Sequence, residues 1–340
     1  YISIENGHTI TLPINLSADQ IIVQASGVLV LDEKLTVPNG NTIAQDLEVI
    51  GTLIDNGDAT NGLNFSNGGT WLLGNQGTII KTWSSSVLPY KENYEGGIAT
   101  IPNTASWYYR YVGNDNVVTL TENMYYPNLY FESSNGFHAW DATNEFLNGT
   151  IGTATIKGNL HVGNSNNGTV EVYHNNTFAS PILVIGNVYV GGNSTLRNTS
   201  LGGGSGTGFE IKGSEILIDG LYQIDENTVG TTILSGSNLQ LVKSTNNGVF
   251  NAAHVQLNNA NGARIDAIDM NISQTLTFID GILHTISTQT NKINLTNNAV
   301  NAIIDGAAQS ATNRYIDGKL QWLLAEGNAY TFPIGANKAT

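Results

Sequence analysis

The chain has 340 residues, a formal net charge of −14 and no cysteine. Only 13 residues are lysine or arginine, and they form no stripe that could neutralise phosphates, so binding to nucleic acids or anionic membranes is disfavoured. The lack of cysteine excludes disulfides, a thiolate nucleophile and cysteine-bound zinc. No apolar run approaches the ~20 residues that a membrane-spanning helix needs.

Asparagine and glycine dominate the composition. The chain has 44 asparagines and 38 glycines, and these two residues tolerate the left-handed backbone conformations that tight corners require. Hydrophobic residues make up 40% of the chain and charged residues 12%, which argues against disorder. This composition indicates short strands separated by many corners.

Residues 1–80 read as short strands. Ile2, Ile4, Ile10 and Leu12 alternate with polar residues, and Asn6-Gly7 is a strong turn signal. An uncovered strand edge invites aggregation. We therefore expect residues 1–80 to form an N-terminal cap and the first coils of a solenoid, unless a partner segment covers the first coil.

Residues 81–142 interrupt this pattern. Between Trp71 and Trp140 lie 14 of the 28 aromatic residues of the chain. We predict that residues 81–142 form an aromatic-rich insertion packed on the side of the solenoid. Within it, residues 117–120 and 129–132 have the pattern of strands that return to the stack.

Residues 143–310 contain the clearest repeats. Residues 154–163 (ATIKGNLHVG) and 182–191 (ILVIGNVYVG) are near-copies of one phrase, and shorter versions occur at 213–218 and 236–241. The corner residues Gly158, Gly186, Gly213 and Gly236 are therefore separated by 28, 27 and 23 positions. A loose period in this range marks a solenoid, propeller or array.

This repeat predicts the fold. Very short strands without a helical period favour an all-β, parallel β-helix in which each coil bonds to the next, and parallel crossovers favour a right-handed one. If so, equivalent apolar residues should form one interior column, namely Leu160, Val188, Ile216 and Leu239.

Residues 311–340 carry two motifs. Residues 314–320 (RYIDGKL) precede residues 330–335 (YTFPIG), and residues 7–12 (GHTITL) lie near the start. With the glycine-asparagine phrases, this resembles large secreted cell-surface β-helix proteins of Bacteroidetes-type bacteria. In those proteins a Y-hydrophobic-x-G-x-hydrophobic segment precedes an F-P-hydrophobic-G segment.

The resemblance implies a location and a function. Many such proteins are exported by the type IX secretion system, and some are gliding or attachment adhesins. It implies a secreted or cell-surface, non-enzymatic adhesin or stalk segment that contacts the secretion machinery during export. Such proteins continue into further strands and a sorting domain, so we expect residues 311–340 to begin a truncated C-terminal β segment of a longer protein.

The aromatic region supplies the candidate binding surface. Exposed tryptophan and tyrosine rings stack on sugars and anchor protein interfaces. The hypothesis is a surface for a glycan or a surface protein, and its residues are Trp83, Tyr90, Tyr94, Trp107, Tyr108, Tyr109, Tyr125, Tyr126 and Trp140. The alternative is that these rings form a satellite core that fastens a long loop to the solenoid.

An enzyme is the alternative function. β-Helices also carry polysaccharide lyases and glycoside hydrolases, and hydrolysis needs two carboxylates roughly 5 to 9.5 Å apart. Candidate pairs are Asp219 with Asp225 or Glu226, and Asp266 with Asp269. These acids also lie beside corners, where aspartate is common for structural reasons. His161 and His254 occupy variable strand positions, and we predict that they face solvent.

No cofactor is expected, with one open question. Residues 55–58 (DNGD) offer oxygen ligands and a glycine, as a calcium-binding turn does. They do not match the EF-hand loop, and no bidentate glutamate follows at the required distance. An ordinary aspartate/asparagine turn explains them more simply.

Overall fold

The computed structural model shows a parallel β-solenoid in which strands of one coil pair in parallel with strands of adjacent coils. It describes residues 1–40, 45–57, 62–82, 93–111, 125–133, 136–140, 154–163, 168–173, 181–198, 207–225, 229–286, 290–305 and 313–335. The prediction of an all-β parallel β-helix is confirmed. A single 3-10 turn, Ile98–Thr100, is the helical segment within these residues.

Each regular coil contributes one strand to each of three faces. The second face is one continuous sheet of 13 strands. Its strands, in spatial order, are β2 (Thr9–Leu12), β5 (Val28–Leu31), β8 (Thr52–Asp55), β11 (Thr78–Lys81), β12 (Ser106–Tyr111), β14 (Asn128–Ser133), β17 (Leu160–Val162), β20 (Val188–Val190), β23 (Glu215–Ile218), β26 (Gln240–Lys243), β28 (Ala263–Asp266), β30 (Leu283–Thr285) and β33 (Ile316–Asp317).

The first face precedes the second along each coil. Its strands are β1 (Ile2–Ile4), β4 (Ile21–Val23), β7 (Leu47–Val49), β10 (Trp71–Leu73), β13 (Tyr125–Tyr126), β16 (Thr155–Ile156), β19 (Ile182–Val184), β22 (Gly208–Ile211), β25 (Thr231–Leu234) and β32 (Ile303–Ile304). The third face follows the second. Its strands are β3 (Leu16–Ser17), β6 (Leu35–Pro38), β9 (Leu63–Ser66), β15 (Gly136–Trp140), β18 (Gly168–Tyr173), β21 (Thr195–Arg197), β24 (Leu221–Ile224), β31 (Ile293–Leu295) and β34 (Leu320–Trp322).

Two long strands bridge the third face of one coil and the first face of the next. They are β27 (Val249–Asn258) and β29 (Met270–Asp280). The first half of β27 pairs with β24 and its second half pairs with β25. Its register with β29 shifts between Ala252 and His254, which is a β-bulge at the corner.

The interior is formed by every second residue of each strand. Leu160, Val188 and Ile216 stack in register and are at most 2% exposed, as predicted. The prediction for Leu239 is wrong, because Val242 takes the next place in the column and Leu239 is 41% exposed. The corner after Gly236 is three residues longer than the corner after Gly213, so the strand enters the stack later.

The corner glycines stack on one another. A Cβ atom on Gly186 would lie 2.3 Å from the carbonyl oxygen of Gly158. A Cβ atom on Gly213 would lie 2.1 Å from the carbonyl oxygen of Gly186. Each coil therefore turns so close to the preceding one that no side chain fits, which explains the repeated glycine.

The asparagines beside these glycines form a hydrogen-bonded ladder. The Oδ1 atom of Asn128 accepts from the Asn159 amide at 2.9 Å, and that of Asn159 accepts from the Asn187 amide at 2.8 Å. Asn187 in turn accepts from the amide of Glu215 at 3.0 Å. The ladder supplies acceptors for backbone amides where the chain leaves one sheet and enters the next.

The strands of the aromatic region are rungs of the solenoid. β12 pairs with β11 and β14, β13 pairs with β16, and β15 pairs with β18. Residues 81–142 therefore contribute to all three faces. The predicted insertion falls in part on residues 83–92 and 112–124, which lie outside the described residues.

The first and last coils follow the same pairing pattern. β1, β2 and β3 pair with β4, β5 and β6, so the parallel pairing of the stack begins at the first strand. At the other end, the Ile316 amide donates to the carbonyl of Pro333 at 2.7 Å, and Ile316 bridges to Ile334. The two terminal motifs thus lie on adjacent coils.

Candidate functional site

Four residues of the predicted binding surface lie in the core. Trp107 and Tyr126 are 0% exposed, Tyr109 is 3% exposed and Tyr94 is 5% exposed. Trp107 contacts the rings of Trp71 and Tyr126 edge-on, with centroids 6.2 and 6.0 Å apart. For these four residues the binding-surface prediction is corrected: their rings fill the interior, because large aromatic side chains gain most from burial.

The other five predicted residues have different positions. Tyr108 points out of the second face, and Tyr125 is partly buried against the core. Trp140 is the last residue of β15. Trp83 and Tyr90 lie outside the described residues.

Tyr108 begins a stack of rings on the outer side of the second face. We call Tyr108, Tyr130, His161 and Tyr189 the ring ladder. Their centroids are separated by 4.2, 4.3 and 4.5 Å, and they occupy equivalent positions of β12, β14, β17 and β20. The spacing arises because parallel strands lie ≈ 4.8 Å apart, which is close to the stacking distance of flat rings.

Tyr108 and His161 of the ring ladder are uncharged near neutral pH. Burial, and then the neighbouring Tyr130 and Glu132, raise the pKa of Tyr108 to about 12. Burial lowers the pKa of His161 to about 4. At one end of the ladder the Arg110 guanidinium carbon lies 5.3 Å from the Tyr108 ring centroid, and Arg110 donates to Glu132 at 2.8 Å.

This stacking limits what the ring ladder can bind. The face of each inner ring is covered by its neighbours, so solvent meets ring edges and polar ring atoms. Sugar stacking needs an open ring face, whereas protein interfaces use both the apolar body and the polar tip of tyrosine. Tyr130 and Tyr189 were not predicted from the sequence, although each is the middle residue of an apolar-x-apolar triplet at equivalent repeat positions.

A groove crosses three strands of the first face near the other end of the chain. We call it the threonine groove. It has a volume of about 280 Å³ and is lined by Val229, Thr231, His254, Val255, Gln256, Thr275 and Thr277. His254 points outward, as predicted, and its Nδ1 atom lies 2.7 Å from the Thr275 hydroxyl.

The candidate catalytic acids belong to corners. Burial raises the pKa of Asp219, but hydrogen bonds from Thr245, Ser244 and Asn246 outweigh burial and lower it overall. Asp219 precedes β24 and Asp225 follows it, and four strand residues alone span about 13 Å. The two carboxylates are therefore attached at opposite ends of the strand. Glu226 lies outside the described residues.

The second acid pair is similarly placed. Asp269 accepts from the backbone amide of Lys292 at 2.9 Å and so holds the corner that leads into β31. Asp266 is the last residue of β28, and its register partner in β26 is Lys243. Asp269 therefore has a structural role at a corner, and Asp266 lies at the end of a strand.

In the turn at residues 55–58, which was considered for calcium, Asp55 forms a buried ion pair with Lys81. Asp55 is 1% exposed, and its Oδ2 atom lies 2.5 Å from the ammonium of Lys81, which is 4% exposed. Its Oδ1 atom accepts from the Gly57 amide at 3.0 Å. Lysine already supplies the positive charge there, and Asp58 lies outside the described residues. Across the described ranges, no group of three or more histidine, aspartate or glutamate residues could hold a metal ion.

Within the part of the chain that the structure describes, no helix has the length and hydrophobicity to cross a membrane. Neither the family models, nor the curated proteins, nor the solved structures include a match to this chain.

Proposed function

We propose that this chain is a rigid, non-enzymatic segment of a secreted or cell-surface protein, a stalk or adhesin module exported by the type IX secretion system. The observation that carries the proposal is the unbroken 13-strand sheet of the second face. At ≈ 4.8 Å per strand such a stack is about 60 Å long. Its internal coils are hydrogen-bonded to the coils on both sides, so the stack resists bending, as a stalk requires.

The surface chemistry supports a role in contact with other macromolecules. The net charge of −14 keeps a large extended surface soluble and disfavours non-specific contact with other anionic surfaces. On this surface the ring ladder is an uncharged aromatic strip beside the pair of Arg110 and Glu132. Tyrosine and arginine are enriched in protein interfaces, so the strip is the candidate contact region for a surface protein.

The export route rests on the resemblance of residues 314–320 and 330–335 to bacterial type IX cargo. The test is protease accessibility of the protein on intact cells of its source bacterium. Loss of surface exposure on inactivation of the secretion machinery supports the proposal. Unchanged exposure in that strain refutes the route.

A second experiment separates a stalk from an enzyme. Small-angle scattering of the purified chain should give a rod at least about 60 Å long, and incubation with a polysaccharide panel should release no reducing ends. A compact particle would refute the stalk. Release of reducing ends from one purified polysaccharide would instead establish that the chain is a carbohydrate-active enzyme.

A further inference from the structure

From the threonine groove we infer a binding site for an uncharged, hydroxyl-rich ligand, namely a neutral oligosaccharide. The site lies on the first face, away from the ring ladder. It goes beyond the proposed stalk role, which needs rigidity and no ligand at this position.

The groove is built on paired strands. Thr231, His254 and Thr275 are register partners on β25, β27 and β29. Gln256 and Thr277 form a second row, two residues further along the strands. Side chains on one face of a strand lie two residues apart, so the polar groups are spaced about 4.8 Å between strands and about 6.7 Å along them.

The lining determines the class of ligand. It contains threonine, histidine, glutamine and valine, and none of the seven lining residues carries a carboxylate, ammonium or guanidinium group. A phosphate or uronate would find no lysine or arginine, and a metal ion would find no carboxylate. Hydroxyl, amide and imidazole groups can each donate and accept hydrogen bonds, as sugar hydroxyls do.

The groove also has an apolar edge and fixed geometry. Val229 is 52% exposed at the rim and can contact the C–H face of a sugar ring. The contact between His254 and Thr275 restrains both side chains before a ligand arrives. Sites on strands hold such groups more accurately than sites on loops. The volume of about 280 Å³ is at the lower end for small-molecule sites and suits one or two sugar rings of a longer chain.

The experiment measures oligosaccharide binding to the full chain by saturation-transfer NMR and calorimetry. The probes are neutral tetrasaccharides of β-1,4-glucose, β-1,4-mannose and α-1,4-glucose, with a tetragalacturonate as the charged probe. We expect one neutral probe to bind with a dissociation constant on the order of 1 mM, because a ligand of ring size offers few contacts. The charged probe should bind at least tenfold more weakly.

Two variants locate the site. Thr277→Val replaces a hydroxyl by a methyl group of the same size, and Gln256→Ala removes the amide. Each should weaken binding about tenfold through lost hydrogen bonds. The matched control is Thr52→Val, an outward threonine on the second face, which should bind as the wild type does. Thermal melts of all variants should agree, which shows that the solenoid is intact.

The alternative outcomes overturn the inference. The inference is refuted if none of the three neutral probes binds, or if the two groove variants bind as well as the control. It is also refuted if tetragalacturonate binds most tightly. Scattering by the same samples reports on the rod separately. A rod without sugar binding refutes only this inference, and sugar binding by a compact particle refutes only the stalk.

Discussion

His161 should make the solenoid sensitive to acid. Its ring lies between those of Tyr130 and Tyr189, with centroids 4.3 and 4.5 Å away. Its Nε2 atom is buried and has no hydrogen-bond partner among the described residues. This burial lowers the pKa of His161 from 6.5 to about 4, because a charged imidazolium would lose hydration between the two rings.

The direction of the effect follows from proton uptake. Between pH 6.5 and about 4 the unfolded chain binds a proton at His161 and the folded chain does not. The free energy of unfolding therefore falls as the pH is lowered through this window and shows no further His161 effect below it. The depression of the pKa corresponds to about 3 kcal/mol over the whole window.

The assay is urea unfolding between pH 7.5 and 4, followed by circular dichroism, for the wild type and His161→Phe. Phenylalanine keeps a flat ring in the ring ladder and cannot be protonated. Lowering the pH should therefore raise the stability of the variant relative to the wild type by about 3 kcal/mol. His8→Asn, on the exposed first corner, is the control and should follow the wild type. Parallel pH profiles for wild type and His161→Phe would refute the reasoning.

Three further substitutions test how the coils hold together, each measured as the free energy of unfolding in urea. Asp55→Asn should cost about 3–5 kcal/mol because it leaves the buried ammonium of Lys81 without its carboxylate partner. Asp55→Leu combined with Lys81→Met should recover most of that loss. Equal costs for the single and the double variant would contradict this. Gly186→Ala should cost about 1–3 kcal/mol because its Cβ would meet a backbone oxygen of the coil before it. The control is Gly192→Ala, whose Cβ would lie 3.2 Å from the side-chain nitrogen of Asn246 and 3.8 Å from the backbone oxygen of Asp219; its effect should stay within about 0.5 kcal/mol. Asn159→Ala should cost about 1–3 kcal/mol because an amide of the next coil loses its acceptor, and a cost near zero would show that water replaces it.

The corners made the fold predictable from sequence. Gly158, Gly186 and Gly213 recur at nearly constant spacing because stacked coils leave no room for a side chain at that point. The asparagine after each of the first two is fixed by its bond to the following coil. Both constraints act at single positions, so they are visible in one sequence.

Strand entry was less predictable than the corners. Leu239 has the same local pattern as the interior residue Ile216, yet it is exposed, and Val242 fills the column. Gln240 causes the difference: its buried amide accepts from the Gly236 amide and donates to the carbonyls of Ile211 and Gly213. A longer corner held by a buried side chain cannot be recognised without knowing which coil lies beside it.

The threonine groove was beyond prediction for a different reason. Apart from Val229, which precedes β25, its residues come from β25, β27 and β29 of three successive coils and share no motif in sequence. Threonine is common in strands whatever its neighbours do, so Thr275 and Thr277 looked like ordinary strand residues. Only the register, which shifts between Ala252 and His254, brings them beside His254 and Gln256.

In the aromatic region, too, the register with neighbouring strands decides which residues are buried, and the single strand β12 shows this. Trp107, Tyr108 and Tyr109 are consecutive, so alternation along the strand gives no preference for either face. The neighbouring rungs decide: Trp107 pairs with Ile79 on one side and Leu129 on the other, and all three are buried. This register turns Tyr108 outward, and each of the next three strands of the second face adds one ring to the ring ladder. Whether an aromatic residue can contact a partner here therefore depends on whether it occupies an inward or an outward position along its strand. Aromatic content alone does not separate core residues from surface residues.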